Sequence, residues 1–200
     1  NNAGWDPAGP KGNVPHWFGT ITSLMAIPAD SEEFGRYNEY AADQDALCHA
    51  APYYLPVRAI SNDRDDNAPA NGTLYWYWDG TNWASTNYGG ANPRPDGFSG
   101  GYDTIRADSS GKNIVAVGAM TIAESGGVRS LATAAMTSFS GWGPTDDGRL
   151  KPDLVAPGVS LYSTSGTSDT NYSSDGAGTS FASPAVAGGA ALVHQHYTST

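Results

Sequence analysis

The sequence predicts an α/β fold in which a mostly parallel sheet carries helices on both faces. Asn113 to Ala119 is a continuous apolar run of strand length, which is typical of a strand buried inside a parallel sheet. Asp30 to His49 has a helical pattern, and Thr179 to Tyr197 forms a second helix that is apolar nearly all round, which predicts its burial. Buried strands that alternate with buried helices are characteristic of this fold class.

The first half of the chain contains one clear helix and one short strand. Residues 1–29 are rich in Gly, Pro and Trp and are predicted to be loop. Asp30 is predicted to cap the first helix, with Glu33 three residues later completing a capping box. Leu55 to Ile60 follows as a short buried strand.

An aromatic-rich segment follows. Asp79-Gly80 lies between strand formers, which predicts a β-hairpin across residues 73–85. Its aromatic residues are Tyr75, Trp76, Tyr77, Trp78 and Trp83. Two interpretations stay open: the rings pair across the strands and cover the core, or they form a platform that stacks on sugars or peptides. After the buried strand at 113–119, Leu154 to Ala156 is predicted to be a further short strand.

The composition favours one unit with many loops over a helical bundle. The 200 residues include 25 Gly and 13 Pro, and an apolar fraction of 39% is sufficient for a packed core. There is no internal repeat and no low-complexity linker. The abrupt start at Asn1, and an end just after an apolar helix, lead us to expect a chain that is incomplete at both ends.

Charge and cysteine content disfavour several functional classes. Twenty acidic and ten basic side chains give a formal charge of −10, which disfavours nucleic acids and anionic membranes as partners. No stretch approaches the ~20 apolar residues of a transmembrane span. Cys48 is the single cysteine, so no disulfide framework or zinc cluster is expected, and its helical setting predicts a small buried apolar residue.

The segment with the clearest chemical potential is Gly178 to Pro184, which reads GTSFASP. Here a Gly-flanked serine lies where a loop enters a helix, and Pro184 is predicted to fit the first helical turn. Ser180 then lies at the positive end of the helix dipole, where its own backbone N–H can stabilise charge on a nearby oxygen. Considered without its neighbours, such a serine is more often only a helix cap.

The longer segment GTSFASPAVAGGAAL resembles the nucleophile motif of the subtilisin-like serine proteases (subtilases), Gly-Thr-Ser-x-Ala-x-Pro-x-x-Ala-Gly, at every fixed position. Residues 138–163, SFSGWGPTDDGRLKPDLVAPGVSLYS, resemble the stretch that precedes that motif. The resemblance is dense from residue 113 to 197. It implies a subtilisin-like fold, a catalytic serine at Ser180, and a chain (residues 1–200) that is the nucleophile-bearing half of the catalytic domain with an aromatic-rich insertion near 73–103.

The resemblance also implies a second site residue. Val57 to Asp63, VRAISND, is similar to the family's strand that ends in Ala-Gly-Asn, which implies that Asn62 donates its amide to the oxyanion hole. Ser61 stands where the family usually has Gly, so we expect a changed floor in the neighbouring pocket. A turn-stabilising Asn in a polar loop is the alternative role for Asn62.

Two members of the catalytic triad are missing from the sequence. The family's Asp motif (Asp-x-Gly) and His motif (His-Gly-Thr-His) are expected upstream of the segments that resemble the family, and neither occurs before Asn62. His194 and His196 lie about 21–24 Å along the predicted helix from Ser180, too far to act as its base. His49 is expected at the end of the first helix, and only His16 is not excluded by its position. We therefore expect this chain alone to be inactive.

The resemblance implies a secreted serine endopeptidase that hydrolyses protein or peptide substrates, with the Asp and His supplied by the same longer chain or by a second chain. The alternative is a non-catalytic relative that binds peptides or carbohydrates through the aromatic segment. We predict no required cofactor or metal. Calcium sites are frequent in the family, but no loop here has a readable calcium-ligand spacing. The carboxylates that could serve are Asp63, Asp65, Asp66, Asp146 and Asp147.

Overall fold

The computed structural model describes residues 5–18, 34–89, 102–166 and 168–199. These residues form two α-helices and eleven short strands. The helices are α1 (Glu39–Ala50) and α2 (Thr179–Thr198). The strands are β1 (Trp5–Asp6), β2 (His16–Trp17), β3 (Val57–Ala59), β4 (Leu74–Trp78), β5 (Trp83–Asn87), β6 (Val115–Met120), β7 (Glu124–Ser125), β8 (Val128–Arg129), β9 (Leu154–Pro157), β10 (Val159–Thr164) and β11 (Tyr172–Ala177).

A three-stranded parallel sheet supports the second helix. Its strand order is β3-β6-β9, and α2 packs across all three strands. Val117, Ala119, Ala156 and Ala182 form the buried core between helix and sheet. Because most of these side chains are small, the helix can lie close to the strands. The predicted strand at 113–119 is confirmed as the central strand β6, and those near 55–60 and 154–156 are confirmed as its two neighbours.

The aromatic hairpin belongs to a second sheet, in the order β1-β2-β4-β5. β4 and β5 pair antiparallel around Asp79-Gly80, with Trp78 opposite Trp83, so the predicted hairpin is confirmed. A buried cluster on this sheet consists of Trp5, Trp17, Tyr75, Tyr77 and Tyr88. The structure therefore supports the core interpretation of the aromatic run. The prediction of loop throughout 1–29 was wrong for β1 and β2, because strands of two residues show no hydrophobic period.

The first helix is shorter than predicted. It begins at Glu39, and Asn38 is its N-cap, with Oδ1 accepting a hydrogen bond from the Ala41 N–H at 3.2 Å. Asp30 and Glu33 lie outside the described residues. Cys48 is half-buried, contrary to the prediction of burial, because the face of α1 that meets the rest of the chain is centred on Ala41 and Asp45.

The second helix is correctly located, but the prediction that it is buried all round was wrong. Only Thr179 and Ala182 are buried in it, and residues 191–199 are exposed. Leu192 and Tyr197 are 68% and 77% exposed. Apolar composition marked this helix as a core element, but burial depends on which chain segments pack around it.

The fold class is mixed α/β, and its finer description is not confirmed. The described strands include four antiparallel pairs, β1–β2, β4–β5, β7–β8 and β10–β11, beside the parallel sheet. α2 covers one face of that sheet, while α1 packs against a 3-10 helix at Ala107–Ser109. Short hairpins close locally and are easily missed between longer apolar runs. No helix in the described part of the chain is long and apolar enough to cross a membrane.

Candidate active site

Ser180 lies in the first turn of α2, at the point where the chain leaves β11. Gly178 precedes the helix with φ of 146°, a conformation that residues with a side chain rarely adopt, and its N–H donates to the Gly158 carbonyl at 2.8 Å. The Ser180 side chain is exposed. Its backbone N–H is one of the first-turn donors that have no acceptor within the helix.

The placement of Pro184 differs from the prediction. It lies in the second turn of α2, inside the helix, and not in the first turn. Because proline has no N–H, the carbonyl of Ser180 lacks the donor that a residue four positions later normally supplies. The helix therefore begins about one turn before Pro184, and Ser180 lies in its first turn, as the predicted start at Thr179 implies.

Ser180 and Asn62, which are distant in sequence, line one open cavity of about 470 Å³. β3 and the loop after it form one side, and the start of α2 forms the other, because α2 packs across β3. The remaining lining residues are Val57, Arg58, Ala59, Ser61, Asp63, Arg106, Asp108, Thr179 and Ser183. The structure thus brings together the two residues that the sequence singled out.

The amide of Asn62 is held in one orientation by the residue before the serine. Its Oδ1 accepts hydrogen bonds from the backbone N–H of Thr179 at 2.8 Å and from the Thr179 hydroxyl at 2.9 Å. These bonds occupy the oxygen end of the amide. The Nδ2 end is therefore left as the donating end of the amide.

Ser61 lines the cavity, and its hydroxyl is used in a contact with a neighbouring segment. Its buried hydroxyl donates to the Thr104 carbonyl at 2.6 Å. Gly141 lies against this hydroxyl, and a Cβ placed there would be 2.1 Å from Ser61 Oγ. The absence of a side chain at Gly141 therefore makes room for the hydroxyl at Ser61.

Four charged residues line the cavity beside Ser180. Asp108 pairs with Arg58 at 2.7 Å and with Arg106 at 3.4 Å. Asp63 is 9% exposed, and its Oδ2 has no hydrogen-bond partner among the described residues. Burial raises the pKa of the Asp63 carboxyl to about 6, against the opposing effect of the Arg106 charge.

No histidine of the described chain lines this cavity. His16 is fully buried in the aromatic sheet, where Nε2 accepts from the Lys11 N–H at 3.1 Å and Nδ1 donates to the Val14 carbonyl at 2.6 Å. Both ring nitrogens are therefore used elsewhere. His194 and His196 are exposed in the C-terminal half of α2, as expected, and His49 lies in the last turn of α1.

The candidate calcium ligands do not form a cluster. Among the described residues, no group of three or more His, Cys, Asp or Glu side chains is placed to hold a metal ion. Asp147 accepts bonds from Arg149 and Thr145, and Asp65 accepts one from the Ser138 hydroxyl at 2.5 Å. Asp65 and Asp147 are thus engaged in structural contacts.

The sequence analysis gave Thr179 and Arg106 no role and named Asp63 only as a candidate calcium ligand. Thr179 lay inside the recognised motif, and Asp63 directly follows Asn62, so their positions could have drawn attention to them. Arg106 carried no signal, because Arg106 and Ile60, the residue that follows β3, meet only through the fold. The Arg106 N–H donates to the Ile60 carbonyl at 3.4 Å.

Comparison with known proteins identifies the family. The sequence model of the Subtilase family matches residues 28–200, which is most of the chain. The chain therefore belongs to the subtilase family, as the sequence motifs predicted.

Two curated relatives and one solved structure match parts of the chain. The chain is 39% identical to "Serine protease/ABC transporter B family protein tagB" of Dictyostelium discoideum and 40% identical to "PII-type proteinase" of Lactococcus lactis subsp. cremoris, each over 30% of the chain. The matches cover only 3–4% of the length of these relatives. The Clostridium perfringens CspB protease is 29% identical over 48% of the chain and 18% of its own, with a TM-score of 0.37.

Proposed function

We propose that this chain is the nucleophile-bearing part of a serine endopeptidase that acts on protein or peptide substrates. One observation carries the proposal: Ser180 and Asn62 line the same cavity, and Thr179 fixes the orientation of the Asn62 oxygen. A hydroxyl nucleophile and two N–H donors at one position are what acyl transfer requires. Family membership supports the same reaction.

In the proposed reaction, the Ser180 oxygen attacks the substrate carbonyl and forms a tetrahedral intermediate. The developing negative charge on the carbonyl oxygen is stabilised by Asn62 Nδ2 and by the Ser180 N–H. The serine proton must pass to a base, which then returns it to the leaving amine. Water then releases the acyl group. We assign the base and its orienting carboxylate to a His and an Asp from another segment of a longer chain or from a second chain.

We also propose that this chain belongs to a larger enzyme and that the enzyme is extracellular. Residues 1–200 are part of a larger catalytic domain, with residues near 73–103 as an aromatic-rich insertion, and the enzyme acts outside the cell. The acidic composition and the family support an extracellular location. We propose no cofactor or metal requirement for catalysis.

Covalent labelling of the full-length protein by a peptidyl phosphonate tests the proposed function. Such probes bond only to a serine that is activated and adjacent to an oxyanion hole. We expect labelling at Ser180 in the wild type and none in Ser180→Ala. Ser199→Ala, at the other end of the same helix, is the matched control and is expected to label normally. Labelling that persists in Ser180→Ala would exclude Ser180 as the nucleophile.

A further inference from the structure

Ser183 is a polar residue beside Ser180 that the proposed reaction does not use. It lies three positions later on α2, so the two side chains project from the same side of the helix, and both line the cavity. Position 183 is one of the variable positions of the nucleophile motif, so the family resemblance gives it no role. The Ser183 hydroxyl nevertheless has a defined partner, because it donates to the Val57 carbonyl of β3 at 3.1 Å.

The Val57 carbonyl is available because it points away from the rest of the parallel sheet. In the described part of the chain, β3 lies at the edge of this sheet. Its bonds to β6 use the Pro56 carbonyl and the Ile60 N–H. Peptide groups alternate in direction along a strand, so the carbonyls of Val57 and Ala59 face the opposite edge.

A serine hydroxyl donates to each of these outward carbonyls, but the two serines belong to different elements. Ser109, in the 3-10 helix, donates to the Ala59 carbonyl at 2.8 Å. Ser183 lies on α2, and its bond to Val57 therefore ties the helix that carries Ser180 directly to β3. The two hydrogen bonds are chemically alike and differ in the element that they hold.

Two ties, one helical turn apart, hold the start of α2 against β3 and the loop after it. The first is at Thr179, whose N–H donates to Asn62 Oδ1 at 2.8 Å and whose hydroxyl donates to the Ser61 carbonyl at 3.2 Å. The second is at Ser183, about 6 Å further along the helix. With the first tie alone, the helix would be free to pivot about Thr179. Ser180 lies between the two ties, so together they set its position relative to Asn62.

Pro184 makes this external support more important. Because proline has no N–H, the Ser180 carbonyl lacks the donor that the helix would normally supply, and the start of α2 has fewer bonds of its own. Acyl transfer is sensitive to such loosening, since a misplacement of about 1 Å can cost about 100-fold in rate. A small tilt of α2 is therefore sufficient to slow the reaction.

We propose that Ser183 is a positioning residue: its hydroxyl holds the start of α2 against β3 and so keeps the Ser180 oxygen aligned with the Asn62 amide. The inference rests on the proposed function of Ser180 and Asn62. Ser183 acts through Ser180, because its own proton is donated to the Val57 carbonyl. Its loss should therefore raise the free energy of the transition state more than that of the bound substrate.

The test compares three variants of the full-length enzyme with the wild type on a peptide amide, at a temperature where all are folded. In Ser183→Ala, the loss of one neutral hydrogen bond should lower kcat about 3- to 10-fold, with KM nearly unchanged. Ser183→Thr restores the hydroxyl and should return kcat to within about twofold of the wild type. Ser109→Ala, the matched control, deletes the similar bond on the same strand and should leave kcat unchanged. Urea unfolding should show a similar loss of stability in both alanine variants.

A double-mutant cycle with Asn62 distinguishes alignment from general loosening of the fold. If Ser183 serves to align Ser180 with Asn62, the loss of its hydroxyl should matter little once the Asn62 amide is gone. In an Asn62→Leu background, Ser183→Ala should therefore lower kcat by less than about twofold. Effects of the two substitutions that multiply independently would overturn the positioning role.

The outcomes separate this inference from the proposed function. Labelling of wild-type Ser180 by the phosphonate reports the reaction itself. If Ser180 is labelled but Ser183→Ala has the kcat of the wild type, or Ser109→Ala loses as much, the positioning role is wrong and the peptidase stands. A rise in KM alone would also overturn it, since Ser183 would then serve substrate binding. If Ser180 is not labelled at all, the proposed function fails, and this inference fails with it.

Discussion

Removing the hydroxyl of Thr179 tests how the Asn62 amide, our proposed oxyanion-hole donor, is held. Thr179 is 1% exposed, and its hydroxyl shares its proton between Asn62 Oδ1 at 2.9 Å and the Ser61 carbonyl at 3.2 Å. Thr179→Val keeps the shape and the backbone bond to Asn62 while deleting this donor. A buried neutral hydrogen bond contributes about 1–2 kcal/mol when its acceptor is left without that donor.

If this hydrogen bond serves to orient the Asn62 amide, its loss raises the free energy of the transition state and leaves that of the bound substrate unchanged. We therefore expect kcat to fall about 5- to 30-fold, with KM nearly unchanged. Complete loss of the Asn62 donor sets the upper limit at about 10²–10³, a magnitude known from subtilisin, another subtilase. Thr179→Ser, which restores the hydroxyl, is the matched control.

Steady-state kinetics of the full-length enzyme on a peptide amide measure this effect, and thermal unfolding checks that both variants fold. A Thr179→Val enzyme with kcat within twofold of the wild type would refute the reasoning. A rise in KM alone would also refute it, because it would show that Thr179 shapes substrate binding and not the oxyanion hole.

Two further predictions concern stability, measured by urea unfolding in a Ser180→Ala background that prevents self-digestion. Gly141→Ala should lower the free energy of unfolding by about 1–3 kcal/mol, because its Cβ would lie 2.1 Å from Ser61 Oγ and 2.4 Å from the Thr104 carbonyl oxygen. Gly89→Ala, which has open space around it, should be nearly neutral. Equal effects of the two substitutions would contradict this prediction. Asp63→Asn should gain stability relative to the wild type as the pH rises from 4 to 8. The pKa of Asp63 in the folded state, about 6, lies above its ordinary value of 3.8. The folded wild type therefore binds the proton more tightly than the unfolded chain does, and its free energy of unfolding falls by up to ~3 kcal/mol across this pH window. A difference that does not vary with pH would show that Asp63 is not desolvated.

The sequence by itself determined the family and singled out the residues to which we assign its chemistry. The motif GTSFASPAVAGGAAL was sufficient because a nucleophile at a helix start needs particular backbone turns, and these restrict which residues can occupy Gly178 to Pro184. The apolar run at 113–119 identified the central strand for a similar reason, since a strand covered on both faces must be apolar throughout. Asp79-Gly80 located the hairpin because few dipeptides fit its turn.

Only the tertiary structure decided how these residues act together. Ser180 and Asn62 meet because α2 packs across β3, and no local pattern encodes that packing. The orientation of the Asn62 amide depends on Thr179, and the room for Ser61 depends on Gly141, which are contacts between distant segments. Burial follows the same rule: the apolar end of α2 is exposed, whereas the carboxyl of Asp63 is buried. Residue type sets the environment that a side chain prefers, but the chain segments packed around it set its actual burial. Burial gives Asp63 its raised pKa.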